Sequence, residues 1–104
     1  MSTRGVSVLV VDDEPAARKL VEKNLEARGF TVFTARDGSE ALRVFNERPI
    51  ELVILDLDIP PPDGFEVCAR IRAESDVPIV VLSASGRQST KVRVLELGAD
   101  DYLK

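Results

Sequence analysis

The sequence contains no histidine and only one cysteine, Cys68. Without histidine the chain lacks the commonest general base and the commonest zinc ligand, so a zinc site is not expected. A lone cysteine excludes a disulfide within the chain and is typical of the reducing cytoplasm, where we expect the protein to act. Any bound metal should therefore be a hard cation held by oxygen atoms, and Mg²⁺ fits best.

Long apolar runs and excess positive charge are also missing. No run approaches the roughly 18 apolar residues of a membrane span, and no signal peptide precedes the first apolar segment, so we expect no membrane contact. The net charge is −4. Because an acidic surface does not attract phosphate backbones, we expect no direct binding of nucleic acid. The 104 residues fit one domain, predicted to span 1–104.

Short Val/Ile/Leu runs alternate with segments whose apolar residues recur at helical spacing. Strands are predicted at 6–11, 30–35, 52–55, 78–83 and 101–103, and helices from Pro15 to Gly29, at 37–48, around 67–71 and at 90–97. Near-continuous apolar strands separated by helices are typical of a parallel sheet covered on both faces. With right-handed crossovers, this predicts an α/β, doubly wound (flavodoxin-like) five-stranded sheet in the order 2-1-3-4-5.

The third and fourth predicted helices differ in the quality of their patterns. Cys68 lies on the apolar stripe of the third helix and is expected to be a core residue. In the fourth helix the apolar residues do not form one clean stripe; they are Val92, Val94, Leu95 and Leu97. We therefore expect the fourth helix to be loosely packed and mobile.

Acidic residues cluster where predicted strands end. Asp12, Asp13 and Glu14 follow the first strand directly, and on their own they could merely cap the first helix. Asp56 follows four apolar residues at the end of the third strand, where an uncompensated carboxylate is costly. Ser83 ends the fourth strand. Because the carboxyl ends of neighbouring parallel strands form the site in such sheets, we expect one crevice that binds a hard cation.

Four segments together carry a resemblance to a known family. They are VLVVDDEP at 8–15, LVILDLDIPPPDGFEV at 52–67, PIVVLSA at 78–84 and LELGADDYL at 95–103. In this order they resemble the receiver domain of a two-component response regulator. The resemblance implies phosphoryl transfer from a phosphohistidine of a sensor histidine kinase to Asp56. Such a domain catalyses its own phosphorylation and dephosphorylation but is a signalling switch rather than a metabolic enzyme.

The resemblance also implies a set of metal ligands. Asp13 and Asp56 would bind Mg²⁺ directly, with the backbone carbonyl of Asp58 as a third protein ligand. Asp12 would act through a water molecule. In this scheme Mg²⁺ neutralises charge that would otherwise keep two anions apart.

Two further residues match the switching elements of the family. Ser83 would hydrogen-bond a phosphoryl oxygen, and Tyr102 would rotate into the space that Ser83 leaves. The surface of the fourth helix and fifth strand would then change shape and control an output. Without the resemblance, Ser83 would simply be a strand-end residue bonded to backbone, and Tyr102 a buried ring with an exposed hydroxyl.

The sequence departs from the family pattern in two places. Asp58 stands where the family often has an apolar residue. Either it repels anionic phosphodonors or alters hydrolysis of the acyl phosphate, or its side chain simply points into solvent. At the end, ADDYLK places Lys104 in a variable position, one residue before the lysine that pairs with the phosphoryl group. A shift of one residue points a strand side chain to the other face, so that role is not assigned to Lys104.

The chain also ends before the fifth helix that the family usually has. Either it is a fragment of a longer regulator, which we favour, or the domain is naturally shortened. GADDYL at 98–103 is typical of regulators that carry a DNA-binding output domain, so a transcription factor is the expected parent. The uncovered sheet face should expose apolar surface and favour a homodimer, other self-association or low stability.

Two alternative functions stay open at this point. One is a receiver-like interaction domain that is no longer phosphorylated. The other is a small flavodoxin-like enzyme or flavin binder. The acidic loop after the first strand argues against the second, because a phosphate-binding loop there would not be acidic.

Overall fold

The computed structural model describes residues 4–83 and 87–103, so Lys104 lies outside the described residues. Five strands and four helices alternate along this part of the chain. They are β1 (Ser7–Val11), α1 (Pro15–Ala27), β2 (Thr31–Ala35), α2 (Gly38–Glu47), β3 (Leu52–Asp56), α3 (Gly64–Glu74), β4 (Ile79–Leu82), α4 (Gln88–Glu96) and β5 (Asp101–Leu103). These bounds lie close to those predicted from the pattern.

The five strands form one parallel sheet in the order β2-β1-β3-β4-β5, which confirms the predicted doubly wound topology. In the β1–β3 pair Val11 lies opposite Leu55, and in the β3–β4 pair Asp56 lies opposite Leu82. The carboxyl ends of β1, β3 and β4 therefore meet at one edge of the sheet.

Acidic side chains cap the first three helices at their amino-terminal ends. Asp37 Oδ1 accepts a hydrogen bond from Glu40 N at 2.8 Å at the start of α2. Asp63 Oδ1 accepts one from Glu66 N at 2.9 Å at the start of α3. Such caps satisfy backbone N–H groups that have no partner within the helix, so these turn residues fix where each helix begins.

The two faces of the sheet are covered unequally. On the face toward α2 and α3 the side chains of the three central strands are fully buried, and Cys68 of α3 is buried with them, as predicted. On the opposite face Val8 and Val10 of β1 are buried. Ile54 and Val80, which continue that face, are only partly buried. Apolar surface is therefore accessible on the β3–β4 side of this face.

Helix α4 is attached to the core by few side chains. Val94 is its one fully buried residue, whereas Val92 and Leu95 are 42% and 39% exposed. The guanidinium carbon of Arg93 lies 3.9 Å from the centre of the Phe65 ring, a cation–π contact that ties α4 to the start of α3. The irregular apolar pattern of the fourth helix thus corresponds to shallow packing of α4 against the core, as predicted. The mobility of α4 stays a prediction.

Arg72 connects the end of α3 to the loop between α4 and β5. Its guanidinium donates to the Gly98 carbonyl oxygen at 2.8 Å and pairs with Asp100 Oδ2 at 2.7 Å. The same carboxylate oxygen accepts a hydrogen bond from Ile79 N at 2.8 Å, at the start of β4.

None of the helices in the described part of the chain is long and apolar enough to cross a membrane.

Candidate functional site

Three carboxylates meet at the edge where β1 and β3 end. Asp12 and Asp13 directly follow β1, and Asp56 is the last residue of β3. Each offers an oxygen atom, and the three oxygens lie within 4.8 Å of one another. The sequence predicted that these three acids would lie close together, because they follow neighbouring strands. The structure brings them together as predicted. Oxygen donors at this spacing fit a hard divalent cation.

The turn from β1 into α1 is held by hydrogen bonds to Asp12. Asp12 N donates to the Ala35 carbonyl oxygen at 3.1 Å, and Glu14 N donates to Asp12 Oδ1 at 2.9 Å. Arg18 Nη1 donates to the Asp12 carbonyl oxygen at 2.9 Å. Glu14 Oε1 in turn accepts from Ala16 N and caps α1. The alternative that the acids after β1 merely cap the first helix therefore applies to Glu14.

A second turn shapes the end of β3. Asp56 Oδ1 accepts a hydrogen bond from Asp58 N at 3.0 Å, and Gly64 N donates to the Leu57 carbonyl oxygen at 3.2 Å. The side chain of Asp58 is exposed. This arrangement turns the chain sharply away from the sheet and leaves one oxygen of Asp56 outside the turn.

Two of these three acids, Asp12 and Asp56, line an open crevice of about 410 Å³ at this edge of the sheet. Its lining residues are Asp12, Glu14, Ala17, Asp56, Asp58, Leu82 and Ser83. Ser83 is buried, with 7% of its surface exposed, and its backbone N donates to the Leu103 carbonyl oxygen at 3.0 Å. The predicted residue Ser83 is therefore in the crevice with Asp56.

Tyr102 lies on the neighbouring strand β5, opposite Val81, and its half-buried ring packs against the core. It is not among the described residues that line the crevice. Tyr102 is nevertheless followed by Leu103, whose carbonyl oxygen accepts a hydrogen bond from Ser83 N. Ser83, which directly follows β4, and Tyr102 on the adjacent strand β5 thus lie at neighbouring positions of the sheet, and their movement stays a prediction.

Burial raises the pKa of Asp56 above its ordinary value of 3.8. The hydrogen bond from Asp58 N lowers this pKa, while the negative charges of Asp12, Asp58 and Asp13 raise it further. Ionisation of Asp56 therefore costs more free energy here than it does in water, and a bound cation would offset that cost.

The raised pKa predicts a pH-dependent stability. Between 3.8 and the raised value the folded chain binds more protons at Asp56 than the unfolded chain does, so this group's contribution to the free energy of unfolding falls as pH rises. Asp56→Asn should then raise the melting temperature near neutral pH in the absence of divalent metal, and this gain should shrink as pH falls. Thermal melts in chelator between about pH 4 and pH 8 measure this. A difference that stays constant across that range would contradict the pKa assignment.

Comparison with known proteins identifies the family. A family model described as "Response regulator receiver domain" matches residues 8–104. The chain belongs to the response regulator receiver domain family. This match favours a receiver domain over the alternative of a flavodoxin-like enzyme or flavin binder.

Two relatives of this receiver domain are described as "Probable transcriptional regulator ycf27". The relative from Guillardia theta is 49% identical over 96 residues, and the one from Pyropia yezoensis is 45% identical over 103 residues. The matches cover 92% and 99% of this chain but 38% and 42% of the relatives. The chain therefore spans about two fifths of the length of these curated relatives.

Solved receiver structures share the fold. The Francisella response regulator 1452 receiver domain has a TM-score of 0.90 at 30% identity, with 95% of this chain and 83% of that chain covered. The chemotaxis protein CheY4 of Vibrio cholerae has a TM-score of 0.90 at 31% identity, with 95% and 85% covered. The BeF3-activated receiver domain of Klebsiella pneumoniae RstA has a TM-score of 0.90 at 29% identity, with 93% and 83% covered. The predicted family and fold are confirmed.

Proposed function

We propose that this receiver domain accepts a phosphoryl group on Asp56 from a phosphohistidine of a sensor histidine kinase. The observation that carries the proposal is the half-buried Asp56 carboxylate beside Asp12 and Asp13, open to a crevice that also contains Ser83. A carboxylate oxygen of Asp56 attacks phosphorus and forms the acyl phosphate. The bond from phosphorus to the kinase imidazole breaks, and the imidazole nitrogen keeps the electron pair.

The proposed metal is Mg²⁺. The carboxylates of Asp13 and Asp56 and the backbone carbonyl of Asp58 would hold it, with Asp12 acting through a water molecule. Bound Mg²⁺ supplies positive charge that screens the nucleophile from the phosphoryl oxygens. The chain itself holds Asp56 in place through the hydrogen bond from Asp58 N. Ser83 then donates a hydrogen bond to a phosphoryl oxygen.

Phosphoryl incorporation tests this proposal. The protein is incubated with acetyl phosphate and Mg²⁺, and its intact mass is measured beside Asp56→Asn. We expect the parent to gain the mass of one phosphoryl group, and expect no gain in the variant or in excess chelator. No gain in the parent, with its fold intact by circular dichroism, would instead favour an interaction domain that is not phosphorylated.

The proposed output is transcription. Phosphorylation would draw Ser83 toward the phosphate and let Tyr102 turn inward, so that the α4–β5 surface changes. The shallow packing of α4 supports this proposal, because few buried contacts oppose its movement. The relatives are described as transcriptional regulators, and a DNA-binding output region in a longer parent protein is proposed on that basis. The proposed compartment is the cytoplasm.

The charge of Asp58 should slow phosphorylation by anionic donors. Its exposed carboxylate lines the crevice and adds negative charge near Asp56. We expect Asp58→Met to be phosphorylated by acetyl phosphate roughly three- to fivefold faster, with a smaller difference at high salt. Asp76→Met is the matched control, since Asp76 is an exposed acid in the loop before β4, at the opposite edge of the sheet. Equal phosphorylation and dephosphorylation rates in Asp58→Met and the parent would refute this role.

The partly buried sheet face should promote self-association of the 104-residue chain. Leu82 and Leu103 extend the apolar face of Ile54 and Val80, and Leu103 is 47% exposed. We expect sedimentation velocity to show a concentration-dependent dimer that Leu103→Lys weakens. Val92→Lys is the control, because Val92 is 42% exposed on α4, which packs against the opposite face of the sheet. A single sharp monomer boundary at high concentration, together with cooperative melting, would contradict this expectation.

A further inference from the structure

Arg18 lies on α1 and reaches back to the acidic turn. Its Nη1 donates a hydrogen bond to the Asp12 carbonyl oxygen at 2.9 Å, and the contact is partly buried. A hydrogen bond from a charged guanidinium is stronger than one between neutral groups, and partial burial reduces competition from water. This contact therefore restrains the backbone at the point where β1 ends.

The restrained oxygen belongs to the peptide group that joins Asp12 to Asp13. Because a peptide group is planar, holding its carbonyl oxygen also fixes the direction in which the chain enters Asp13. The hydrogen bond from Asp12 N to Ala35 O holds the preceding peptide group. Arg18 thus adds the restraint on the Asp13 side of Asp12, where repulsion among the three carboxylates would otherwise drive the turn apart.

We propose that Arg18 is a positioning residue that holds Asp12 and Asp13 in the geometry required for divalent cation binding. This inference rests on the proposed function, since it concerns the same metal. Arg18 acts through the backbone and does not itself contact the cation. Its positive charge should oppose cation binding, whereas its hydrogen bond should favour it, so the two effects have opposite signs and can be separated.

The test compares Mg²⁺ dissociation constants of the parent, Arg18→Ala, Arg18→Lys and Lys19→Ala by titration calorimetry. Lys19→Ala is the matched control, because Lys19 is the exposed neighbour on the same helix and carries the same charge. We expect Arg18→Ala to bind Mg²⁺ roughly tenfold more weakly, the effect typical of an outer-shell partner. Arg18→Lys should be intermediate, and Lys19→Ala should bind as tightly as the parent or slightly more tightly.

A second measurement separates positioning from general stability. Glu14 N donates to Asp12 Oδ1, so its amide reports on the turn without any metal. In Arg18→Ala we expect faster hydrogen exchange at this amide, with amides in the centre of the sheet unchanged.

Unaltered Mg²⁺ affinity in Arg18→Ala, or tighter binding like that expected for Lys19→Ala, would overturn the positioning role. If the parent also incorporates phosphate, that result leaves the proposed function intact. If the parent itself fails to bind Mg²⁺, both the proposed function and this inference fall. Faster exchange throughout the sheet in Arg18→Ala would assign Arg18 to stability alone and would also overturn the inference.

Discussion

Asp13→Asn is expected to weaken Mg²⁺ binding by roughly 100-fold, whereas Asp12→Asn should weaken it by roughly tenfold. The difference follows from the proposed roles, in which Asp13 binds the cation directly and Asp12 acts through water. It also follows from the turn, because Asp12 Oδ1 is already engaged by Glu14 N. Calorimetric titration of each variant with Mg²⁺ measures the two effects.

Glu14→Gln is the control for charge alone. Glu14 also lines the crevice, but its carboxylate caps α1 through Ala16 N. Removing its charge should change Mg²⁺ affinity by only about twofold, as expected for an exposed charge in water. Equal losses in all three variants would mean that the acids attract cations only as a diffuse negative surface, and the assignment of Asp13 as a ligand would be wrong.

Gly64→Ala is expected to lower the free energy of unfolding by about 3 kcal/mol or more and to suppress phosphorylation of Asp56. A Cβ atom at this position would lie 2.5 Å from Leu57 Cα and 2.8 Å from the Asp56 carbonyl oxygen. Both neighbours are backbone atoms, so a rotamer change cannot relieve the contact. The start of α3 must move away from the end of β3, and the acceptor moves with it.

Gly5→Ala provides the comparison. Gly5 has a φ of +80°, but a Cβ there would meet nothing within 4 Å. Its cost should therefore be the conformational one alone, about 1 to 2 kcal/mol. Urea denaturation gives both values, and the phosphorylation assay gives the effect on the site. A Gly64→Ala variant no less stable than Gly5→Ala, with normal phosphorylation, would refute the close packing of α3 against Asp56.

The sequence was sufficient to predict the fold because local pattern and topology agree. Apolar runs such as 52–55 are too continuous for a half-exposed strand and too short for a buried helix, so they predict buried parallel strands. Parallel order then places the ends of β1 and β3 side by side. The meeting of Asp12, Asp13 and Asp56 follows from that order, and the observed spacing of their oxygens agrees with it.

Other features depend on contacts between parts of the chain that no local pattern connects. Arg72 and Asp100 are 28 positions apart, and their pairing requires the loop before β5 to return to the end of α3. Arg18 is six residues from Asp12, yet its reach to a backbone carbonyl depends on the angle at which α1 leaves the sheet. The sequence around Gly64 indicates only a turn, and the close approach of Gly64 to the Asp56 backbone depends on how α3 packs. These three features need the tertiary structure.

Borohydride trapping tests most directly whether Asp56 is the acceptor. The protein is phosphorylated with acetyl phosphate and Mg²⁺ and then treated with sodium borohydride, which reduces an aspartyl phosphate to homoserine. Tandem mass spectrometry of the peptides locates the change. We predict homoserine at residue 56 and at none of the neighbouring acids. Homoserine at position 12, 13 or 58, or an unmodified chain after verified exposure to the donor, would contradict the account.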